Sequence, residues 1–310
     1  MPQTLQRIVV AVSSRALFDL EEEHQLFIEK GYKAFRDYQV SHKDTPLRPG
    51  VAFPFVKRLL GLNELFKEKG PAFFDVIALS RNSPETAQRF FNSCRYYDLP
   101  ITAGAFTSGQ STFPYIKAFG VSLFLSANPE NVTKAINEGL PAGLVLPTPI
   151  EDDDSHTLRI AFDFDGVIAD DESEIEFQKE GLQGFHKLEQ LKASTPHSPG
   201  PLSKLFEQLS QFQRYDYETN GTDNPYFNPA IRISVVTARG APSEERLITT
   251  LKSLGMSAAE LFLLDGRDKK PILEAIRPHI FFDDQYRHLE KSISTVPSVW
   301  IPFGIHNKQE

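Results

Sequence analysis

Cysteine is almost absent from this chain: Cys94 is the only one in 310 residues. No disulfide can form within the chain, and a Cys-based metal site within one subunit is excluded. The lone thiol reads as a buried small apolar residue. Long apolar runs are missing too. Nothing approaches the ~20 residues needed to span a bilayer. The N-terminal stretch, where Arg7 precedes only Ile8 to Val12 before Ser13, Ser14 and Arg15, lacks a signal-peptide pattern. Basic residues are in deficit, with 33 Lys and Arg against 41 Asp and Glu and a formal net charge of −8. That balance argues against a broad surface for a nucleic-acid polymer. A small anionic substrate is still allowed, because local cations and a metal decide its binding. The expectation is a soluble cytoplasmic enzyme with no membrane partner; a homo-oligomer is left open.

What is present is organised around one stretch. Ile160, Ala161 and Phe162 read as a buried parallel strand, with no alternation of polar and apolar positions. The strand runs into Asp163-Phe164-Asp165-Gly166. Residues i and i+2 of an extended strand point the same way, so both carboxylates can face one pocket. In open α/β sheets ligands bind at such carboxyl ends. Like charges held that close raise the pKa of at least one of them unless a cation intervenes. One carboxylate can then attack while the other shuttles a proton. Taken alone, the motif reads equally well as a polar strand exit with Asp as turn former.

It is not alone. Arg232 to Thr237, followed by Ala238-Arg239-Gly240, is a second apolar strand ending in a hydroxyl and a glycine. Asp268-Lys269-Lys270-Pro271 follows, and then Pro278-His279-Ile-Phe-Phe-Asp283-Asp284. Separately, Thr237 could merely end a strand, Lys269 lie on the surface, and Asp283-Asp284 cap a helix. Their joint order weighs against that reading. The series resembles the haloacid dehalogenase (HAD) superfamily of aspartyl phosphohydrolases. Ser13-Ser-Arg-Ala-Leu-Phe-Asp19, Leu47-Arg-Pro-Gly-Val-Ala-Phe-Pro54, Gly109-Gln-Ser111, Asp171-Glu-Ser-Glu174 and Ile276-Arg-Pro-His-Ile-Phe-Phe-Asp-Asp-Gln285 narrow the resemblance to the cytosolic 5′-nucleotidase I family, over nearly the whole chain. The nucleophile motif departs from the Asp-Gly-Asp-Ala often seen there, which leaves base preference open.

The resemblance implies Mg²⁺-dependent hydrolysis of nucleoside 5′-monophosphates through an aspartyl-phosphate. Asp163 is the expected nucleophile and Asp165 the acid and base. Thr237, Ala238, Arg239 and Lys269 are expected at the transferring phosphoryl group, with Arg239 alternatively pairing an acidic neighbour. Asp163, the Asp165 carbonyl, Asp283 and Asp284 are the expected metal ligands, a hard-oxygen set that suits Mg²⁺. Lys270 competes with Lys269 on sequence alone; the internal alignment described below and the resemblance favour Lys269. Base stacking could fall to Phe177, Phe185, Tyr215, Tyr217 or Phe227, although packing is the commoner role. His279 reads as structural.

Strands alternate with helices throughout, which indicates an α/β fold with a parallel sheet. Residues 1–150 form a first α/β unit, 151–157 an acidic, solvated linker, and 158–310 a catalytic HAD-like unit. A helical cap is expected within about 171–229, since such enzymes carry a mobile insertion between their first two motifs. The halves also echo each other. Ser13 and Arg15 fall on Asp163 and Asp165, Arg81 on Arg239, Thr112 on Lys269, and Ser126 on Asp283. The first unit thus reads as a degenerate HAD-like copy without the carboxylates a divalent cation wants. It is expected either to hold an anion or to present Arg15 and Arg48 to the active site or to a partner subunit. Two other functions compete: a HAD phosphatase for sugar or other small phosphate esters, and a non-catalytic nucleotide-binding regulatory protein.

Overall fold

In the computed structural model of the chain, the described residues are 5–150, 152–153, 155–222, 224, 226–255 and 260–307. The first half opens with β1 (Ile8–Val12), a buried β-branched run. Ser13 caps the short α1 (Ser14–Leu17) by accepting the Ala16 N–H. There follow β2 (Phe18–Asp19), α2 (Glu21–Ser41), β3 (Arg48–Pro49), α3 (Phe53–Leu65) and β4 (Phe74–Ser80). Then come α4 (Pro84–Tyr96), β5 (Ala103–Phe106), α5 (Phe113–Ala118), β6 (Leu123–Ser126), α6 (Pro129–Asn137) and β7 (Ala142–Val145). Pro sits in the first turn of α3, α4, α5 and α6, where its missing N–H costs no helical bond.

The second half repeats the rhythm. It comprises β8 (Leu158–Phe162), α7 (Glu172–Leu191), α8 (Ser203–Asp216), β9 (Ile231–Thr237), α9 (Glu244–Ser253) and β10 (Glu260–Leu263). It ends with α10 (Lys270–Ile276), β11 (Ile280–Asp283), α11 (Tyr286–Ser292) and β12 (Ser298–Trp300).

Ten strands make one sheet in the order β10-β9-β8-β11-β12-β7-β6-β1-β4-β5. Every pairing in it is parallel except β7 with β12, where Val145 faces Val299 and Leu144 faces Trp300. Read outward from that seam, each half places its strands in the same order, with β1 and β8 in corresponding positions. Because the seam is antiparallel, the carboxyl ends of the two sets of strands face opposite edges of the sheet. Arg15 and Arg48 therefore lie away from Asp163. Arg48 pairs with Asp19 and Glu22 of its own half, at 3.1 and 2.9 Å.

The seam needs glycine. A Cβ on Gly143 of β7 would overlap Cγ1 of Val299, so only hydrogen lets the two halves close at this point. Helix α8 strengthens the join. Its Phe206 packs edge-on to Phe162 at 5.2 Å, while its Phe212 reaches Phe74 at 4.8 Å and Phe66 at 5.1 Å in the first half. The expected insertion of 171–229 therefore divides: α8 belongs to the sheet packing, and α7 alone stands over the site. The described part of the acidic run is also tied down. Asp152 and Asp153 bind Arg58 of α3 at 2.6 and 2.8 Å, and Asp153 also binds Arg159 of β8 at 2.5 Å. Cations from both halves thus pair with these carboxylates, although Asp152 stays exposed as expected for a linker.

His279 sits beside that acidic run, between the starts of β8 and β11, 5% exposed. Its Nδ1 accepts the Arg159 backbone N–H at 3.0 Å. A proton on Nδ1 would remove that bond, and burial together with Arg58 and Arg159 lowers the imidazole pKa to about 4. A histidine at about 6.5 when unfolded then takes up its proton on unfolding in the window between the two values. Stability is thus fully present above pH 6.5 and falls as the pH drops toward 4, by roughly 3 kcal/mol at 1.36 kcal/mol per unit. Urea unfolding of the unaltered chain and of His279→Gln from pH 7.5 to 4.5 should show this component of the slope only in the former. Equal slopes would exclude His279 as its source.

Candidate active site

The carboxyl ends of β8, β9 and β11 bring four separated motifs together. Asp163 leaves β8 and is 3% exposed, and its Oδ1 accepts the Phe164 N–H at 2.7 Å. Lys269, 3% exposed at the head of α10, lies 2.8 Å from Asp163 and 2.7 Å from Asp283. Lys270 instead lies half exposed on the surface beside Glu274, at 3.8 Å. Thr237, buried at the end of β9, accepts the Arg239 N–H on its Oγ1 at 3.2 Å. Asp283 closes β11, and its Oδ1 accepts the Gln285 N–H at 2.8 Å. Asp284 follows, with Trp300 Nε1 donating to its carbonyl at 2.8 Å.

Three buried carboxylates cluster here, and two of them, Asp163 and Asp283, pair with the buried Lys269. Burial and then the neighbouring Asp283 and Asp163 charges push the Asp284 carboxyl well above the usual range. Burial also raises Asp163, against the pull of Lys269. Asp283 stays below the ordinary value because Lys269 and His288 outweigh its burial. Asp284 Oδ1 is buried with no hydrogen-bond partner. The same carboxyl occupies the space a Cβ would need on Gly166, whose φ is +70°. Asp163, Asp283 and His288 each offer a donor atom within 4.8 Å of one another. His288, on α11, is a donor that the strand motifs did not announce. An unpartnered carboxylate oxygen among like charges is the environment a divalent cation relieves, so the residues present fit a metal.

Asp165 is engaged differently. Its two oxygens accept a fork from Arg239, at 2.8 Å to Nε and 2.7 Å to Nη2. Arg239 also binds Glu189, donates to Ser173 Oγ at 2.9 Å, and lies 3.1 Å from His197 Nε2. Of the two roles open to Arg239, the structure forms the acidic pairing, with the guanidinium plane against Phe164 and Phe185. Glu189 is further held by Arg246 at 2.9 Å. Burial alone would raise the Glu189 carboxyl, but His197 and Arg239 keep it far below the carboxylate range. Ser173 and Glu189 come from the two ends of α7, which folds back at Gly181 with φ +66°. Both arms of the covering helix are thereby anchored to the core. Glu189, Ser173, His197 and Arg246 carry no motif; a periodic match to the first half, where Arg89 binds Glu23 and Gln39 of α2, was the available signal.

Beneath α7 lies a cleft of about 560 Å³, with Asp163, Asp165, Thr237, Ala238 and Arg239 on its floor. Phe177 and Phe185 wall it. The other aromatic candidates pack elsewhere: Tyr215 against Phe66 and Phe73, and Tyr217 against Phe227.

Comparison with known proteins gives the family. The family model described as 5′-nucleotidase matches residues 1–308. Human "Cytosolic 5′-nucleotidase 1B" is 34% identical over 294 residues, which is 93% of this chain and 48% of that protein. The chain thus spans about half the length of the curated relative it matches. No solved structure matches.

Proposed function

The chain belongs to the 5′-nucleotidase family, and on that premise we propose that it hydrolyses nucleoside 5′-monophosphates to nucleoside and phosphate. The observation that carries the proposal is Asp163 buried against Lys269 on the floor of an aromatic-walled cleft. Asp163 attacks phosphorus in line and the ester bond to the sugar oxygen breaks. Asp165 gives its proton to that oxygen. The acyl-phosphate on Asp163 is then hydrolysed by water that Asp165 deprotonates, which restores both carboxyl groups. Arg239 positions Asp165 as a carboxylate through its fork, so the acid step requires Asp165 to leave the fork and take up a proton before it donates to the sugar oxygen. Thr237, Ala238 and Lys269 hold the equatorial phosphoryl oxygens. Lys269 is already protonated for this, since the adjoining carboxylates outweigh its burial and raise its pKa.

Mg²⁺ is the cofactor we assign, on Asp163, the Asp165 carbonyl, Asp283 and Asp284, with His288 beside them. When bound it supplies positive charge to the transferring phosphoryl group. Phe177 and Phe185 are placed to stack the base. The cytoplasmic location belongs to the same reading, and no described helix is long and apolar enough to cross a membrane.

We also read residues 158–310 as the catalytic unit, with 1–150 as a duplicated copy that lost its chemistry. The matching strand orders support this. So do the parallel anchors, with Arg89 Nε donating to the Thr45 carbonyl where Arg246 Nε donates to that of Thr195.

A phosphate-release screen over nucleoside monophosphates and sugar phosphates tests the function. Nucleotides should be turned over with Mg²⁺, and EDTA should abolish release until Mg²⁺ is restored. Preference for sugar phosphates, or full activity in metal-free buffer, would contradict the proposal.

A further inference from the structure

The first half contains a cavity built like the active-site cleft. It measures about 520 Å³, against about 560 Å³ for the cleft. Its cover, α2, folds back at Gly31 with φ +76°, as α7 does at Gly181. Its wall is Phe27 and Phe35, with ring centroids 6.2 Å apart and planes at 84°. The active-site pair Phe177 and Phe185 stands at 6.4 Å and 85°. The recognition wall has thus kept both its residue types and its geometry.

The floor has changed sign. Ser13 stands in the place of the nucleophile, and its Oγ accepts the Ala16 and Ala127 N–H groups at 3.2 and 3.3 Å. Arg15 replaces Asp165 and Gln39 replaces Glu189. The strand register corrects the alignment expected from sequence: Asn82, not Arg81, stands where Arg239 does, since Ser108 N–H donates to the Asn82 carbonyl at 3.1 Å as Asp265 N–H donates to that of Arg239 at 3.0 Å. Arg81 takes the place of Ala238, so the first half adds a cation at the floor where the second has none. Arg81 donates to the Gly109 carbonyl at 3.0 Å and lies 3.7 Å from an exposed Glu130. Among the described residues, Arg15 pairs with the exposed Glu21 alone, at 3.3 Å. Both guanidinium groups line the cavity and a small polar recess of about 120 Å³ at the carboxyl ends of the strands, formed with Ser13, Ser80 and Ser126. Among the described residues, no carboxylate lines either space. Exposed ion pairs are weak, and guanidinium groups bind phosphate as a planar fork.

We propose that this cavity is a second, non-hydrolytic site for a nucleoside monophosphate, with the phosphate on Arg15 and Arg81 and the base against Phe27 and Phe35. The ligand class rests on the substrate reading above. The site binds without turnover, because Ser13, its Oγ engaged with two backbone N–H groups, stands where the nucleophilic carboxylate does in the other half, and among the described residues no carboxylate lines the site to recruit a cation. Its opening at the opposite edge of the sheet keeps it separate from the catalytic cleft.

Equilibrium dialysis of the full chain carrying Asp163→Asn, with Mg²⁺ and labelled adenosine 5′-monophosphate, tests this. Two equivalents should bind per chain. Adding Arg15→Gln and Arg81→Gln, or separately Phe27→Ala, should weaken one equivalent at least about tenfold and leave the other. All three side chains are partly exposed, so thermal unfolding should stay unchanged. A single equivalent in the parent overturns the proposal, as does a second that ignores all three changes. Hydrolysis by the unaltered chain, measured in parallel, separates the two readings. Turnover with one equivalent sinks only the second site. An Arg15- and Arg81-dependent equivalent without turnover sinks only the substrate assignment, and no binding at all sinks the second site.

Discussion

Asp163→Asn should lower phosphate release by at least about a thousandfold while leaving the fold intact, in the range seen when a nucleophile is removed. The amide has nearly the shape of the carboxylate but no charged oxygen to attack phosphorus. The fold survives because the buried partner is not orphaned: Lys269 keeps Asp283 at 2.7 Å. Asn Oδ1 can still accept the Phe164 N–H that now meets Asp163. Steady-state phosphate release and urea unfolding of the same preparation make the check. Activity within tenfold of the unaltered chain, with unfolding unchanged, would remove Asp163 from the chemistry and turn attention to Asp165.

Arg239→Gln should be the most costly single change to stability in this region. The guanidinium is 4% exposed and neutralises both Asp165 and Glu189. Breaking a buried pair from one side strands the opposite charge and typically costs 3–5 kcal/mol. Arg246 still holds Glu189 and Asp165 is partly exposed, so the low end, about 3 kcal/mol, is expected. Turnover should fall as well, since Asp165 loses the fork that orients it. Arg239→Lys separates the two effects. It restores a charge but no planar fork, so stability should partly return while kcat stays low. Unfolding within 1 kcal/mol of the unaltered chain in Arg239→Gln would show that the network does not hold α7 to the core.

The uneven legibility of this chain follows from where each signal is stored. Strands β1, β4, β8 and β9 are largely apolar, with β1 and β9 rich in β-branched residues, and their identity is local. Strands β5 and β7 are not legible, because Ala103-Gly104 and Ala142-Gly143 have poor strand propensity. They form because bulk is excluded there: a Cβ on Gly104 would lie 2.7 Å from the Ala78 carbonyl, and one on Gly143 would overlap Val299. Asp163, Thr237, Lys269 and Asp283 could be read from order and residue type, since each ends a strand or opens a helix. Lys269 and Lys270 are alike in sequence and differ in space: Lys269 is buried between Asp163 and Asp283, while Lys270 lies at the surface beside Glu274.

By itself, then, the sequence determined the α/β class, the family and the charged residues at the strand ends. Tertiary structure decided what those charges meet. The antiparallel seam sent the two sets of strand ends to opposite edges of one sheet. The fold-back of α7 carried Ser173 and Glu189 onto Arg239, making that residue the partner of Asp165. The physical reason is range: propensity and motif act over a few neighbouring residues, whereas burial and ion pairing depend on groups dozens of positions apart that only the closed fold brings into contact.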